Sequence, residues 1–111
     1  MAVTYEPLAT TTLTSAQSTV TFSSISGSYT DLVLVTNVKD SNGACYLRFN
    51  NDSGTNYSRT WLTGNGSTAS SNRNSNSNQV YIVADTTNYE MNITNIMNYS
   101  NSSTYKTALI R

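Results

Sequence analysis

The stretch Asp31-Leu32-Val33-Leu34-Val35-Thr36-Asn37-Val38 decides the fold class of this chain. Its apolar residues do not follow the spacing of a helix, and in its first half they occupy both faces of an extended strand. The Val and Thr residues are β-branched, which favours strand over helix. Apolar side chains on both faces are typical of a central strand covered from two sides. We therefore predict that this stretch is a strand in the interior of a sheet.

Further runs with a period of two lie on both sides of this stretch, and no helical pattern interrupts them. Runs of Ser, Asn, Asp and Gly separate them, as in Ser26-Gly27-Ser28 and Asp40-Ser41-Asn42-Gly43. About seven strands in this pattern predict an all-β fold, an antiparallel β-sandwich that is jelly-roll-like. The predicted strands are residues 19–22, 31–38, 44–50, 57–62, 79–84, 89–99 and 104–110.

Two segments lack a strand pattern. Residues 1–18 are predicted to form an extended N-terminal arm, because they are polar with sparse apolar residues and contain the one proline. The sandwich domain is then residues 19–111. Of the 16 residues in 63–78, 14 are Ser, Thr, Asn or Gly, so we expect a long exposed loop there. The final run stops at Ile110-Arg111 without a closing turn, and we expect the natural chain to continue.

The composition argues against several classes of function. Ser, Thr and Asn make up 50 of the 111 residues, charged residues make up 11%, and the net charge is zero. A neutral chain is not typical of a nucleic-acid binder, and no run approaches the roughly 20 apolar residues of a membrane span. We expect no nucleic-acid partner and no membrane partner.

The sequence also lacks the residue patterns that are typical of catalytic sites. The chain has no histidine, and its six carboxylates are scattered singly over turns and arm. The acidic turns at Asp40 and Asp52 lack the later glutamate of a calcium loop. The single cysteine, Cys45, lies in an alternating run and is expected to be a small buried apolar residue. We expect no enzyme, no catalytic residue, no metal site and no cofactor.

The arm is the first candidate site. It carries apolar side chains without helical register, and such arms order when they lie on a neighbouring molecule or add a strand to its sheet. The alternative is an ordinary first strand of the chain's own sheet. The candidate docking residues are Val3, Tyr5, Pro7, Leu8 and Leu13.

The second candidate site is a possible binding face on the predicted strand 57–62. Alternation places Tyr57, Arg59 and Trp61 on one face of that strand. Aromatic residues beside Ser and Asn are typical of surfaces that bind a sugar or a protein. The alternative is packing of these three side chains in the core or against a neighbouring subunit.

The chain resembles small virion structural proteins of tailed phages, the type found with marine and cyanobacterial hosts. The resemblance covers most of the chain and is loose over residues 63–97. It rests on recurring stretches and not on a catalytic motif. These are Met1-Ala2-Val3-Thr4-Tyr5-Glu6-Pro7, Ala9-Thr10-Thr11-Thr12-Leu13, Val20-Thr21-Phe22-Ser23-Ser24-Ile25, Tyr29-Thr30-Asp31-Leu32-Val33-Leu34-Val35, Leu47-Arg48-Phe49-Asn50, Gly54-Thr55-Asn56-Tyr57-Ser58-Arg59-Thr60, Asn98-Tyr99-Ser100-Asn101 and Thr104-Tyr105-Lys106-Thr107.

The resemblance implies a virion component without enzymatic activity and does not say where on the particle it lies. The abundance of hydroxyl and amide side chains and the scarcity of lysine favour the exterior of the particle. The favoured function is that of a capsid decoration or cement protein that stabilises the coat. Its partners would be other virion proteins, above all the major capsid protein, and further copies of itself, with a homotrimer favoured. The alternative is a module of a tail fibre or other appendage that binds a host surface glycan. The first seven residues lack the pattern of a secretory signal, so we expect synthesis in the host cytoplasm.

Overall fold

The computed structural model describes residues 5–83 and 87–111. Across these residues it contains seven strands and no helix, so it contains no helix that could span a membrane. The predicted all-β class is confirmed. The strands are β1 (Leu32–Val38), β2 (Cys45–Leu47), β3 (Tyr57–Gly64), β4 (Ala69–Ser77), β5 (Val80–Val83), β6 (Glu90–Met97) and β7 (Thr107–Ile110).

Every strand pairing is antiparallel. The strands form a three-stranded sheet in the order β1-β6-β7, here called the main sheet, and two ribbons, β2-β5 and β3-β4. The finer expectation of a jelly-roll-like sandwich stays a prediction, since the described strands are hydrogen-bonded into three separate sheets.

The first strand lies at an edge of the main sheet, so the prediction of a central strand was wrong. Its inner face is half-buried at Leu32 and Leu34. On its outer face Val33 and Val35 expose 42% and 60% of their surface. The strand β1 therefore carries apolar side chains on both faces, as the sequence indicated, but within the described chain only its inner face is covered. The exposed apolar residues of this outer face of the main sheet are Val33, Val35, Met91, Met97 and Leu109.

The core between the main sheet and β5 is small. Its buried apolar residues are Ile96 of β6 and Ile82 of β5, and the buried Thr94 lies beside Ile96 on the inner face. The Oγ1 of Thr36 and the Nδ2 of Asn92, which pair across β1 and β6, are buried and have no hydrogen-bond partner among the residues that the structure describes. Each such group costs about 1–3 kcal/mol. This core contributes little stabilisation for a chain of this length.

The surface of the chain is correspondingly large. It exposes 8751 Å², whereas an ordinary folded monomer of its mass exposes about 6,000 Å². The radius of gyration is 15.2 Å, against about 13 Å for a compact domain of the same length. The excess surface is several times the roughly 800 Å² that one partner buries in a standard interface.

The segment before β1 is the second departure from prediction. Residues 5–31 contain no strand, so the predicted strand at 19–22 was wrong. Thr19-Val20-Thr21-Phe22 has the alternation of a strand but finds no strand to pair with, and Val20 and Phe22 stay 42% and 39% exposed. Alternation alone cannot hold a strand, because the main-chain groups need hydrogen-bonding partners.

The predicted loop at 63–78 was also wrong, because most of it is β4, which pairs with β3 over Ala69–Ser77. The turn between them is organised by Asn65, whose side-chain oxygen accepts hydrogen bonds from the main-chain N–H groups of Ser67 and Thr68. Gly66 adopts a positive φ of 87° there. Asn-Gly is a strong hairpin signal, and it was present in the sequence.

Candidate functional site

Tyr57, Arg59 and Trp61 lie on one face of β3, as alternation predicted, and that this face binds a ligand stays a prediction. Tyr57, Arg59 and Trp61 are half-buried and alternate with exposed residues along the strand. The carbon of the Arg59 guanidinium lies 4.2 Å from the centre of the Trp61 ring and 4.6 Å from the centre of the Tyr81 ring. Tyr81 comes from β5, a different ribbon. Two cation–π contacts therefore restrain the guanidinium.

A concave site lies beside this stack, with a volume of about 280 Å³. It is formed where the β3-β4 and β2-β5 ribbons meet. The six residues that line it combine one cation, two phenol rings, two side-chain amides and one hydroxyl. They are Arg59, Tyr46, Tyr81, Asn74, Gln79 and Ser77.

Contacts with one another and with residues outside the cavity hold three of the lining residues in place. The Tyr46 and Tyr81 rings meet edge to face at 5.7 Å, and the Tyr81 hydroxyl donates to the carbonyl of Gly43. Arg48 donates through Nη2 to Oε1 of Gln79 at 2.7 Å. That contact uses the amide oxygen of Gln79, so the Nε2 group is the end available to the cavity.

Charges around the cavity act on Tyr81. Burial raises the pKa of Tyr81, Arg59 opposes this rise, and Glu90 and Tyr46 add to it. The phenol therefore stays neutral at physiological pH. The Arg59 guanidinium makes no hydrogen bond or ion pair with the described residues, although it carries five N–H donors.

Tyr57 does not belong to this cavity. Its hydroxyl donates to the carbonyl of Asp52 and accepts from the N–H of Phe49, both at 3.1 Å, and its ring stacks on that of Phe49. These contacts fasten the turn between β2 and β3. The sequence placed Tyr57 on the correct face, but the structure gives it a packing role and brings in Tyr46, Asn74 and Tyr81, which sequence reasoning missed.

A Tyr57→Phe variant is expected to lose about 1–2 kcal/mol of unfolding free energy. The change removes the hydroxyl and leaves the part-buried Asp52 carbonyl and Phe49 N–H without that partner. Urea unfolding followed by circular dichroism measures the loss, with Tyr105→Phe as the control because Tyr105 is 93% exposed. Equal stability of the two variants would contradict this role for Tyr57.

The arm residues lie on the surface. Tyr5 is 73% exposed, Leu8 and Leu13 are each 44% exposed, and Pro7 is also exposed. Val3 lies outside the described residues. The described arm residues, 5–18, therefore do not enter the core of their own chain, and they form no first strand of its sheet.

The main chain of this segment has few partners. Within the described part of the chain, residues 5–29 make no hydrogen bond between main-chain groups. The side-chain tether at its start is a hydrogen bond of 3.0 Å from the Tyr29 hydroxyl to a Glu6 carboxylate oxygen, and Glu6 raises the pKa of Tyr29 through it. Near its end the Tyr99 hydroxyl donates to the carbonyl of Ile25.

Cys45 is half-buried and free, and burial raises the pKa of its thiol, which Asp40 reinforces. Asp40 and Asp52 use their carboxylates inside their own turns, where Oδ1 accepts from the N–H of Asn42 and of Gly54 respectively. Among residues 5–83 and 87–111, no three His, Cys, Asp or Glu side chains come together as a metal site.

No protein family, no curated protein and no solved structure matches this chain. The features that bear on its function are therefore the arm, the exposed sheet face and the cavity beside Arg59.

Proposed function

We propose that this protein is a non-enzymatic structural component of a phage virion, a capsid decoration protein that attaches to the coat through its N-terminal segment. The observation that carries the proposal is the extended segment 5–29, whose main-chain groups make no hydrogen bond to other main-chain groups of the described chain. A chain segment in this state gains hydrogen bonds and buries apolar surface when it pairs with the edge of another sheet.

The size of the exposed surface supports attachment to partners. The chain exposes 8751 Å², which exceeds the expected area by roughly 2,700 Å², enough for more than one standard interface. The surface carries few charges, since charged residues make up 11% of the chain. Attachment through apolar contacts and main-chain pairing is expected to depend little on salt.

The outer face of the main sheet supports association with further copies of the chain. Val33 and Val35 lie there beside Met91 and Leu109, all exposed, and the charged Arg111, whose main chain pairs with Ile93, follows Leu109 at the border of this face. An exposed apolar sheet face of this kind is typical of a surface that a partner covers. We place the subunit contact of a homotrimer on this face.

Deleting residues 1–13 is expected to abolish attachment to the coat while the sheets still fold, because residues 5–13 lie outside every strand. A milder variant, Tyr5→Ser with Leu8→Ser, keeps the main chain and removes two exposed side chains. It is expected to weaken binding about tenfold or more. Occupancy on purified coats that lack this protein, measured by cosedimentation, tests both variants.

The control is Leu62→Ser with Tyr105→Ser, which removes similar side chains that are 83% and 93% exposed outside the arm. Its occupancy is expected to equal that of the unaltered chain. Undiminished occupancy after deletion of residues 1–13 would reject the docking role of the arm.

The second candidate function is an appendage module that binds a host surface glycan. The cavity beside Arg59 supports it, because its amides, hydroxyls and aromatic rings are the groups that bind sugars. Tyr57 is no longer part of this candidate site, and Trp61 contributes by holding Arg59. The two candidates use different parts of the chain, so the arm variants leave the second one unaffected.

A further inference from the structure

The Arg59 side chain is prepared for a ligand in an unusual way. The carbon of its guanidinium lies 4.2 Å from the centre of the Trp61 ring and 4.6 Å from the centre of the Tyr81 ring, and these two contacts restrain the group. Its five N–H donors have no acceptor among the described residues. A planar acceptor with two oxygens is the partner that such a group binds best, through two parallel hydrogen bonds.

The rest of the cavity adds groups for a hydroxylated ring. Asn74 lies opposite Arg59 in the β3-β4 register, and Ser77 follows it along β4. Tyr46 is 47% exposed and presents its ring at the rim. Gln79, whose oxygen is used by Arg48, offers its N–H₂ group as a second donor. Donors at the centre with amides and hydroxyls around them suit a carboxylate attached to a sugar.

From this geometry we infer that the cavity binds an acidic monosaccharide unit, a sugar ring whose carboxylate pairs with Arg59. The volume of about 280 Å³ is close to the lower end of small-molecule sites and suits one sugar ring. The inference rests on the second candidate function and names its ligand class. It does not depend on the coat-docking role of the arm.

The test is a titration of the full chain, followed by NMR chemical shifts of its amides. Three probes are compared: glucuronate, glucose as the neutral sugar of the same size, and acetate as a carboxylate without the ring. Glucuronate is expected to bind with a Kd in the millimolar range, as suits so small a ligand. Glucose and acetate are each expected to bind about tenfold or more weakly.

Two variants connect the binding to the cavity. Arg59→Met is expected to weaken glucuronate binding about tenfold or more, and Arg73→Met is the matched control. Arg73 is exposed and pairs with Thr60, so it lies on the other face of the same ribbon. Gln79→Glu is a second variant that keeps the inference testable if Arg59→Met fails to fold. It adds a negative charge to the cavity and is expected to weaken the binding of glucuronate more than the binding of glucose.

Three other outcomes would overturn the inference, and each rejects a different part of it. Equal binding of glucose and glucuronate would reject the acidic class and leave a neutral sugar site standing. Equal binding of acetate and glucuronate would reject the sugar. Binding of no sugar would reject both the inference and the second candidate function, and the coat-docking proposal would be judged separately on the arm variants.

Discussion

A Val35→Asp variant is expected to sediment as a monomer at concentrations where the unaltered chain associates. Val35 is 60% exposed at the middle of β1, on the outer face of the main sheet, where it pairs with Ile93 of β6. In the proposed trimer this position is covered, so a carboxylate there loses water without gaining a partner, which costs several kcal/mol at each contact. A cost of about 3 kcal/mol lowers each association constant more than a hundredfold.

Analytical ultracentrifugation over a range of concentrations measures this effect. The control is Leu62→Asp, the same kind of change at a side chain that is 83% exposed on the β3-β4 ribbon. The control is expected to associate normally. Dissociation by Leu62→Asp with no effect of Val35→Asp would place the contact on the ribbon and reject the outer face of the main sheet.

An Ile96→Ala variant is expected to lose about 2–5 kcal/mol of unfolding free energy. Ile96 is 5% exposed on the central strand of the main sheet, between Leu32 of β1 and Ala108 of β7. It is one of two buried large apolar residues in the described core, the other being Ile82. A loss of this size is a large part of the total stability of about 5–15 kcal/mol that small domains have.

Urea unfolding at a fixed protein concentration checks the loss, since association would otherwise shift the transition. Leu62→Ala serves as the comparison, because its side chain is largely exposed and its removal is expected to change stability by less than about 0.5 kcal/mol. Similar midpoints for the two variants would show that Ile96 does not lie in the centre of the folding core.

The differences between prediction and structure have a common cause in strand pairing. The Thr19-Val20-Thr21-Phe22 run alternates and yet forms no strand, whereas the fully exposed polar run in β4 forms one of nine residues. The total of seven strands in the described residues therefore agrees with the prediction through two opposite errors. Hydrophobic pattern reports which face is buried, but pairing depends on main-chain hydrogen bonds, to which a polar strand is as suited as an apolar one.

Only the part of the candidate site that lies on β3 was predictable from the sequence. The alternation of β3 correctly placed Arg59 and Trp61 on the same face, since side chains two apart in a strand point the same way. Tyr81 and Gln79 lie about 20 residues further along the chain, and no local pattern connects them with Arg59. Their approach depends on how the two ribbons meet, and that is why sequence reasoning assigned Tyr57 to the site in their place.

The amino-acid sequence predicted the all-β class, six of the seven described strands and the shared face of Arg59 and Trp61. These follow from the period of the side chains and from the turn residues, which act within a few positions of the chain. Three features appear only in the folded chain: β1 lies at an edge, one of its apolar faces is uncovered, and Tyr81 contacts Arg59. Those features depend on contacts between residues far apart in sequence, where the choice of neighbour is set by packing and not by local preference.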